Sequence, residues 1–304
     1  MISVIICTYN HFASLKRALN SLKEMTVPNE LTWELVVVDN NSQDGTRDIV
    51  NDFIRVSGLN VRYIFERKQG LSYARNCGVN EARGKVIAFT DDDVVLDKYW
   101  LVNVAKAFKE YDVAGIGGRI FPIWEKLKPK WITPDLYGYW AILDYGEKPY
   151  YLNTPNIWGA NFAIRADMFK KYGGFDTTLG RVPGKLYAGE DTYFFRKLMD
   201  KGEKLLYWPT AIVYHFIPES RISKKYLRKW KFDQGEMYAA RLGNYSKRNF
   251  LGIPYYIIKQ FLENTASYLL HTVFFSRDIF LRELNIVYLL GFILGRLKYQ
   301  LHWK

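Results

Sequence analysis

The sequence predicts an α/β fold: a mostly parallel central sheet with helices on both faces, followed by a helical, basic C-terminal extension. Three observations predict it. Short β-branched runs that are apolar at consecutive positions recur along the first two thirds of the chain, each leading through a polar loop into apolar residues at helical spacing. Polar and acidic residues gather where those runs end, which is where open parallel sheets bind ligands. The alternation then stops near Pro218, beyond which long basic and aromatic stretches take over. The chain therefore divides into 1–218 and 219–304.

Residues 2–8 form the first strand and end in Tyr9-Asn10-His11; residues 14–22 follow as a helix, with Leu15, Ala18, Leu19 and Leu22 on one face. The second unit is a strand at 34–39, a loop at 40–45 and a helix at 46–56. A third strand spans 61–66 and a third helix 70–83, and the fourth strand, 85–90, runs into Asp91-Asp92-Asp93. A helix at 99–111 and a Gly-punctuated strand at 113–120 come next. Residues 121–157 hold Pro122, Pro129, Pro134, Pro149 and Pro155 among many Trp and Tyr, and read as an irregular excursion over one mouth of the site. The pattern resumes with a strand at 158–164, helices at 166–172 and 190–202, and a last strand at 205–215 interrupted by Pro209.

At 304 residues the chain can bury a sizeable core, and 49% hydrophobic with 24% charged residues is ordinary globular usage. Its 17% aromatic content suits a sugar-handling or membrane-touching surface. The net charge of +12 is uneven. Residues 221–304 carry fifteen Lys and Arg against five acids, so ten of the twelve net charges lie there. Cys7 and Cys77 make no disulfide framework and read as small buried hydrophobes in a reducing compartment. The N-terminus enters a strand without a charged leader or cleavage site, so a cytoplasmic location is expected.

Three adjacent carboxylates at a strand end repel one another unless a positive group lies between them, and a divalent cation answers that need. Mn²⁺ and Mg²⁺ take oxygen ligands and share them between carboxylates and substrate phosphates. The competing reading is a solvated acidic turn before the helix near Lys98. Glu190-Asp191, after Gly189, is a second acidic pair at a helix start, where capping alone would also favour acids. His215 ends an apolar strand, and a lone histidine there is more often structural than a ligand.

Taken in order, Ser3 to Asn10, Val36 to Thr46, Ala74-Arg75-Asn76-Cys77-Gly78, Asp91-Asp92-Asp93, Gly189-Glu190-Asp191 and His215 resemble the successive motifs of family 2 glycosyltransferases with the GT-A fold. The resemblance spans roughly residues 1–217. It implies an inverting, metal-dependent transfer of sugar from a nucleoside diphosphate donor, a UDP-sugar in the first instance, in the biosynthesis of a cell-surface polysaccharide or glycoconjugate. In such enzymes Thr8, Tyr9, Asn10 and Asp39 would hold the nucleobase, Arg75 would approach base or phosphate, and Asp91 would meet the ribose. Asp93 and His215 would bind the cation, and Asp191 would be the catalytic base. Trp158, Gly159, Ala160, Asn161 and Glu190 would border donor sugar and acceptor. Asp92 receives no role and is expected to be the most replaceable of the three aspartates.

A carboxylate base and a Lewis-acidic cation supply what sugar transfer needs, a deprotonated acceptor hydroxyl and a stabilised leaving diphosphate. A two-carboxylate hydrolase would not need the nucleotide-side motifs. A nucleotidyltransferase would carry a Gly-rich phosphate loop where Thr8-Tyr9-Asn10-His11 stands. A noncatalytic nucleotide-sugar-binding scaffold at the membrane is the alternative.

In the extension, residues 224–231 interleave Lys and Arg with Tyr226 and Trp230, and apolar stretches follow at 253–262, 268–275 and 284–297. Nucleic acid and membrane surfaces both favour such composition; the apolar runs favour membrane. Residues 284–295 are free of charge yet, at twelve residues, too short to cross a bilayer, so they lie on a membrane or pack in a bundle. Ile286, Leu289, Leu290, Ile293 and Leu297 share one helical face, and Gly291 and Gly295 form a close-packing pattern. Peripheral contact with the inner membrane surface and a glycan or polyprenyl-linked acceptor are the expected partners.

Overall fold

The computed structural model describes residues 1–241, 248–273 and 278–301. Its contacts divide the chain into two compact units, 1–183 with 189–219, and 184–188 with 220–304.

The first unit opens with β1 (Ile2–Thr8), α1 (Phe12–Lys23), β2 (Trp33–Asp39), α2 (Thr46–Ser57), β3 (Val61–Phe65), α3 (Leu71–Glu81) and β4 (Val86–Asp91). It continues with β5 (Val94–Leu96), α4 (Trp100–Glu110), β6 (Gly115–Trp124), β7 (Tyr150–Tyr151), β8 (Asn161–Arg165), α5 (Ala166–Tyr172), α6 (Glu190–Asp200) and β9 (Leu205–Ile217). The nine strands make one sheet in the order β3-β2-β1-β4-β8-β6-β9-β5, with β7 paired to β9. β1, β2, β3 and β4 run parallel, as do β6 and β9, while β8 is antiparallel to both β4 and β6.

Alternate residues of one strand supply opposite cores, which is why the runs are apolar throughout. Val4 and Ile6 of β1 and Leu35 and Val37 of β2 pack with Leu15, Leu19 and Trp100 on one face. Ile5, Val36 and Val38 pack with Ala74, Phe169 and Phe194 on the other. Gly78 on α3 lets that helix close on β1, since a Cβ there would sit 2.7 Å from Ile5.

Several elements depart from the sequence reading. β6 runs on to Trp124 and β7 forms at 150–151, both within the stretch expected to be irregular, because each pairs with β9. Residues 94–96, to which the sequence assigned no element, form β5, antiparallel to β9 with Val94 opposite His215. β9 also runs past Pro209 to Ile217, because the partner register shifts there. Gly118 of β6 faces Trp208 and Arg119 faces Ile212, so residues 209–211 bulge out of the ladder. A bulge is where a strand tolerates a proline that cannot donate.

The second unit comprises α7 (Lys224–Arg241), the hairpin β10 (Asn249–Phe250) and β11 (Ile253–Pro254), α8 (Tyr255–Val273) and α9 (Ile279–Leu301). α7 and α9 approach closely through glycines. A Cβ on Gly291 would lie 2.2 Å from the Phe232 carbonyl oxygen, and one on Gly235 would lie 2.0 Å from that of Tyr288. The buried residues of α9 are Phe280, Leu284, Leu289, Gly291, Phe292, Gly295 and Arg296, whereas Leu290 is 39% exposed. Of the sequence-derived stripe, Leu289 is buried and Ile293 and Leu297 pack against the same cluster, while Leu290 faces outward. Arg296 is buried because its guanidinium donates to the carbonyls of Gly252 and Ala239. Segment 184–188 is tied to α7 through Asp233, which accepts the Leu186 N–H, and Gln234, which donates to the Leu186 carbonyl. Residues 274 and 275, the end of one expected apolar stretch, lie outside the described residues.

Candidate active site

The sheet register brings the chemistry together. Thr8 lies opposite Asp39, Cys7 opposite Asp91, and Thr90 opposite Asn161, so the ends of β1, β2 and β4 and the start of β8 share one edge.

At the β1–β2 side, Asp39 is buried and accepts hydrogen bonds from the Ser42 N–H at 2.9 Å and the Tyr63 hydroxyl at 2.7 Å. Asn10, in the left-handed region at φ 51°, accepts from the Gln43 N–H at 2.7 Å, and its own N–H donates to Ser42 Oγ. Asparagine tolerates that conformation, so the two loops are laced together by the residue type that suits them. Tyr9, 38% exposed, stands at the rim.

Asp92 is not the idle member of its triplet. One carboxylate oxygen accepts from Thr8 Oγ1 at 2.6 Å and the other lies 3.2 Å from His11 Nδ1, so it fastens the end of β1 to the end of β4. His11, Asp92 and Asp93 bring one ligand atom each within 4.8 Å of one another. His11 received no role from the sequence; its place three residues after Thr8 in a strand-end loop was the available signal.

Asp93 meets His215, whose Nε2 lies 3.3 Å from an Asp93 oxygen, held there by the β5–β9 pairing and by the Phe216 N–H donating to the Asp93 carbonyl. The other ring nitrogen, Nδ1, sits 2.7 Å from the Trp140 carbonyl oxygen. A carbonyl only accepts, so Nδ1 carries a hydrogen, and Nε2 is the ring atom that faces Asp93. A carboxylate beside an imidazole nitrogen of fixed tautomer is a donor set that fits a divalent cation.

Arg75 stands elsewhere than the sequence put it. Its guanidinium is buried, pairs with Glu190 through Nη1 and lies 3.4 Å from Asp91 through Nη2. The rings of Phe89, Phe162 and Phe175 surround it, each centroid within 6.0 Å. A Cβ on Gly159 would fall 2.2 Å from Nη2, so that glycine leaves room for the guanidinium. Arg75 thus joins the strand-end acid of β4 to the helix-start acid of α6. It is enclosed by these groups rather than held out toward a base.

Asp191 is buried at the start of α6 and accepts the Thr192 N–H at 2.6 Å. Burial, and then the neighbouring Glu190 charge, push its carboxyl up to about 7; Arg75 and N–H donors from Thr192 and Gly159 pull the other way. Burial likewise lifts Asp91 to about 6 against the attraction of Arg75. Burial raises both thiols too, Cys77 to about 11, so neither cysteine is a thiolate nucleophile at neutral pH.

The four residues at 158–161 have different duties. Ala160 is buried in the core beside Trp158, whose buried indole N–H has no hydrogen-bond partner. Asn161 is committed to the scaffold. Its Oδ1 accepts from Trp100 Nε1, and its Nδ2 donates to the carbonyls of Arg119 and Ala211, filling the β6–β9 bulge. With those bonds its side chain braces the sheet, which corrects its expected place at the sugar.

An α/β sheet whose strand ends carry two separated acidic clusters, one beside a histidine, is a site for group transfer from a charged donor. Residues 3–173 match the profile of Glycosyl transferase family 2. The chain belongs to that family, and it is a glycosyltransferase. It is 28% identical over 239 residues to the glucosyl-dolichyl phosphate glucuronosyltransferase of Haloferax volcanii, covering 77% of this chain and 75% of the relative. It is 26% identical over 243 residues to the succinoglycan biosynthesis protein ExoM of Rhizobium meliloti, covering 79% and 75%. Its fold is shared with the mannosyltransferase PcManGT of Pyrobaculum calidifontis, solved with GDP-Man and Mn²⁺, at TM-score 0.59 and 21% identity over 82% of this chain and 65% of that one. S. aureus TarS 1–349, solved with UDP, superposes at TM-score 0.57 with 17% identity over 99% and 91%.

Proposed function

We propose that the protein transfers a sugar, with inversion, from a nucleoside diphosphate sugar to a glycan or polyprenyl-linked acceptor. Asp191 serves as general base. The observation that carries this reading is the enclosed Asp191 carboxyl, raised to about 7 and joined through Glu190 and Arg75 to Asp91. A base with that affinity is half ionised near neutral pH and strong enough to take a hydroxyl proton. The acceptor oxygen, as its proton passes to Asp191, bonds to the anomeric carbon while the bond from that carbon to the diphosphate oxygen breaks.

Thr8, Tyr9, Asn10 and Asp39 hold the nucleobase of a UDP-sugar in this reading, and Asp91 accepts from the ribose. Asp93 and His215 hold a divalent cation, which neutralises the leaving diphosphate when bound. The imidazole ligand favours Mn²⁺ over Mg²⁺. The relatives named for dolichyl phosphate and for succinoglycan support a lipid-linked or polysaccharide acceptor.

A panel of nucleotide sugars, scored for thermal stabilisation and donor hydrolysis with Mn²⁺, Mg²⁺ or chelator, tests the reading. Stabilisation by a UDP-sugar that chelator abolishes is expected. No stabilisation by any donor would sink it.

A further inference from the structure

No described helix is long and apolar enough to cross a membrane, and the amphipathic face that the sequence placed on α9 is largely packed in the second unit. α8 is different. Tyr255, Tyr256, Lys259, Leu262, Leu269 and Leu270 are all exposed, and their spacing sets them on one side of the helix. Ile257 is buried on the other side and packs with Leu289 and Phe292 of α9. The three leucines are each 57% exposed or more, an unusual outlay of large side chains for a solvated face.

The hairpin before α8 extends the same character. β10 and β11 are joined by Leu251-Gly252, with φ of 49° and 73°, a two-residue turn in the left-handed region. Asn or Gly normally leads such a turn. Here a leucine stands in the strained position, 59% exposed, beside Phe250 at 56%.

We infer that the β10–β11 tip and the outward stripe of α8 form a surface that lies on an anionic lipid bilayer. Charge selects this occupant. Between residues 241 and 272 the sequence has Arg241, Lys247, Arg248 and Lys259 against Glu263 as the sole acid. Arg248, next to the apolar tip, is exposed, and Lys259 lies within the stripe, paired to Glu263 at 3.7 Å. Leucines that enter the acyl boundary, tyrosines that sit at headgroup depth and cations that meet lipid phosphates are the ingredients of an in-plane helix. A second copy of this chain, itself +12, would bring like charge to the same face. The inference does not depend on which sugar is transferred.

Flotation of the full chain with phosphatidylcholine vesicles, and with vesicles also containing phosphatidylglycerol, tests it. The parent protein should float with the anionic vesicles and less with the neutral ones, and high salt should reduce flotation. The combined variant Leu251→Asn, Leu262→Gln, Leu269→Gln, Leu270→Gln should lose at least about tenfold in partition. Asn suits the turn, the other three sites are exposed, and an unchanged melting curve and donor hydrolysis would show that the fold and the first unit's chemistry are intact. Unaltered flotation of that variant would overturn the inference. So would a parent that ignores both vesicle types, including one whose dimer in light scattering becomes a monomer in the variant. Flotation without turnover of any nucleotide sugar would count against the proposed function and leave the membrane surface standing.

Discussion

Arg75 is the residue on which the two acidic clusters converge. It is 2% exposed, and it holds Glu190, 115 positions away, against a guanidinium that also faces Asp91. Removing one partner of a buried pair leaves the other as an uncompensated charge, which costs about 3–5 kcal/mol. Arg75→Ala is therefore expected to lower the melting temperature sharply, and in any folded fraction the Asp191 carboxyl should rise further, moving the acid limb of the pH–rate profile upward. Melting curves and that profile check both parts. Asp191 has its own linkage. Its folded affinity for a proton exceeds the ordinary carboxylic value, so the native state binds more protons than the unfolded chain between about pH 4 and 7. Stability from this group is thus lost as pH rises through that window. Asp191→Asn should stabilise the protein at pH 8 more than at pH 5, measured by denaturant titration, an instance of a catalytic group maintained against stability.

At the scale of elements, the sheet edge is built as much by scaffold bonds as by the acids. Asn161 supplies three hydrogen bonds to Trp100, Arg119 and Ala211 at the one place where the β6–β9 register slips. Asn161→Ala would leave those buried groups unpaired, at about 1–3 kcal/mol for each, and lower stability accordingly; chemical denaturation checks it. Much of this element structure was legible in the sequence. β1, β2 and β4 are largely apolar on consecutive positions because both faces are covered, and that local pattern needs no partner to be read. β5 was not legible, since three residues form a strand only by pairing with β9, more than a hundred positions later. On α9 the close-packing pattern of Gly291 and Gly295 was legible, and together with Gly235 these glycines bring the α7 and α9 backbones together. That Leu290 of the Ile and Leu stripe would face outward was not, because a wide stripe does not say which edge its partner covers.

For the whole molecule, the order of motifs identified the family before any geometry, and the register explains why that order works. Most of the motifs end a strand or open a helix at one edge, and Ala74 to Gly78 lies inside α3. What the motifs did not reveal is which side chains face a ligand and which serve one another. Arg75 and Asn161 are polar residues in motif positions that turn inward, Asp92 fastens two strands, and His11 joins the acids from a loop; none of these directions is encoded in spacing. The basic charge is unevenly spread along the chain too, since ten of twelve net charges lie in residues 221–304.

The central claim is that Asp191 takes the acceptor proton while other residues hold the donor. Its most direct test measures transfer and donor affinity together in the parent and in Asp191→Asn, across pH. The account predicts that parent kcat/KM rises with pH through about 7, and that the variant loses about 100-fold or more in kcat while its nucleotide-sugar Kd, by calorimetry, changes less than about threefold. A variant that turns over at the parental rate with the same pH profile would contradict it.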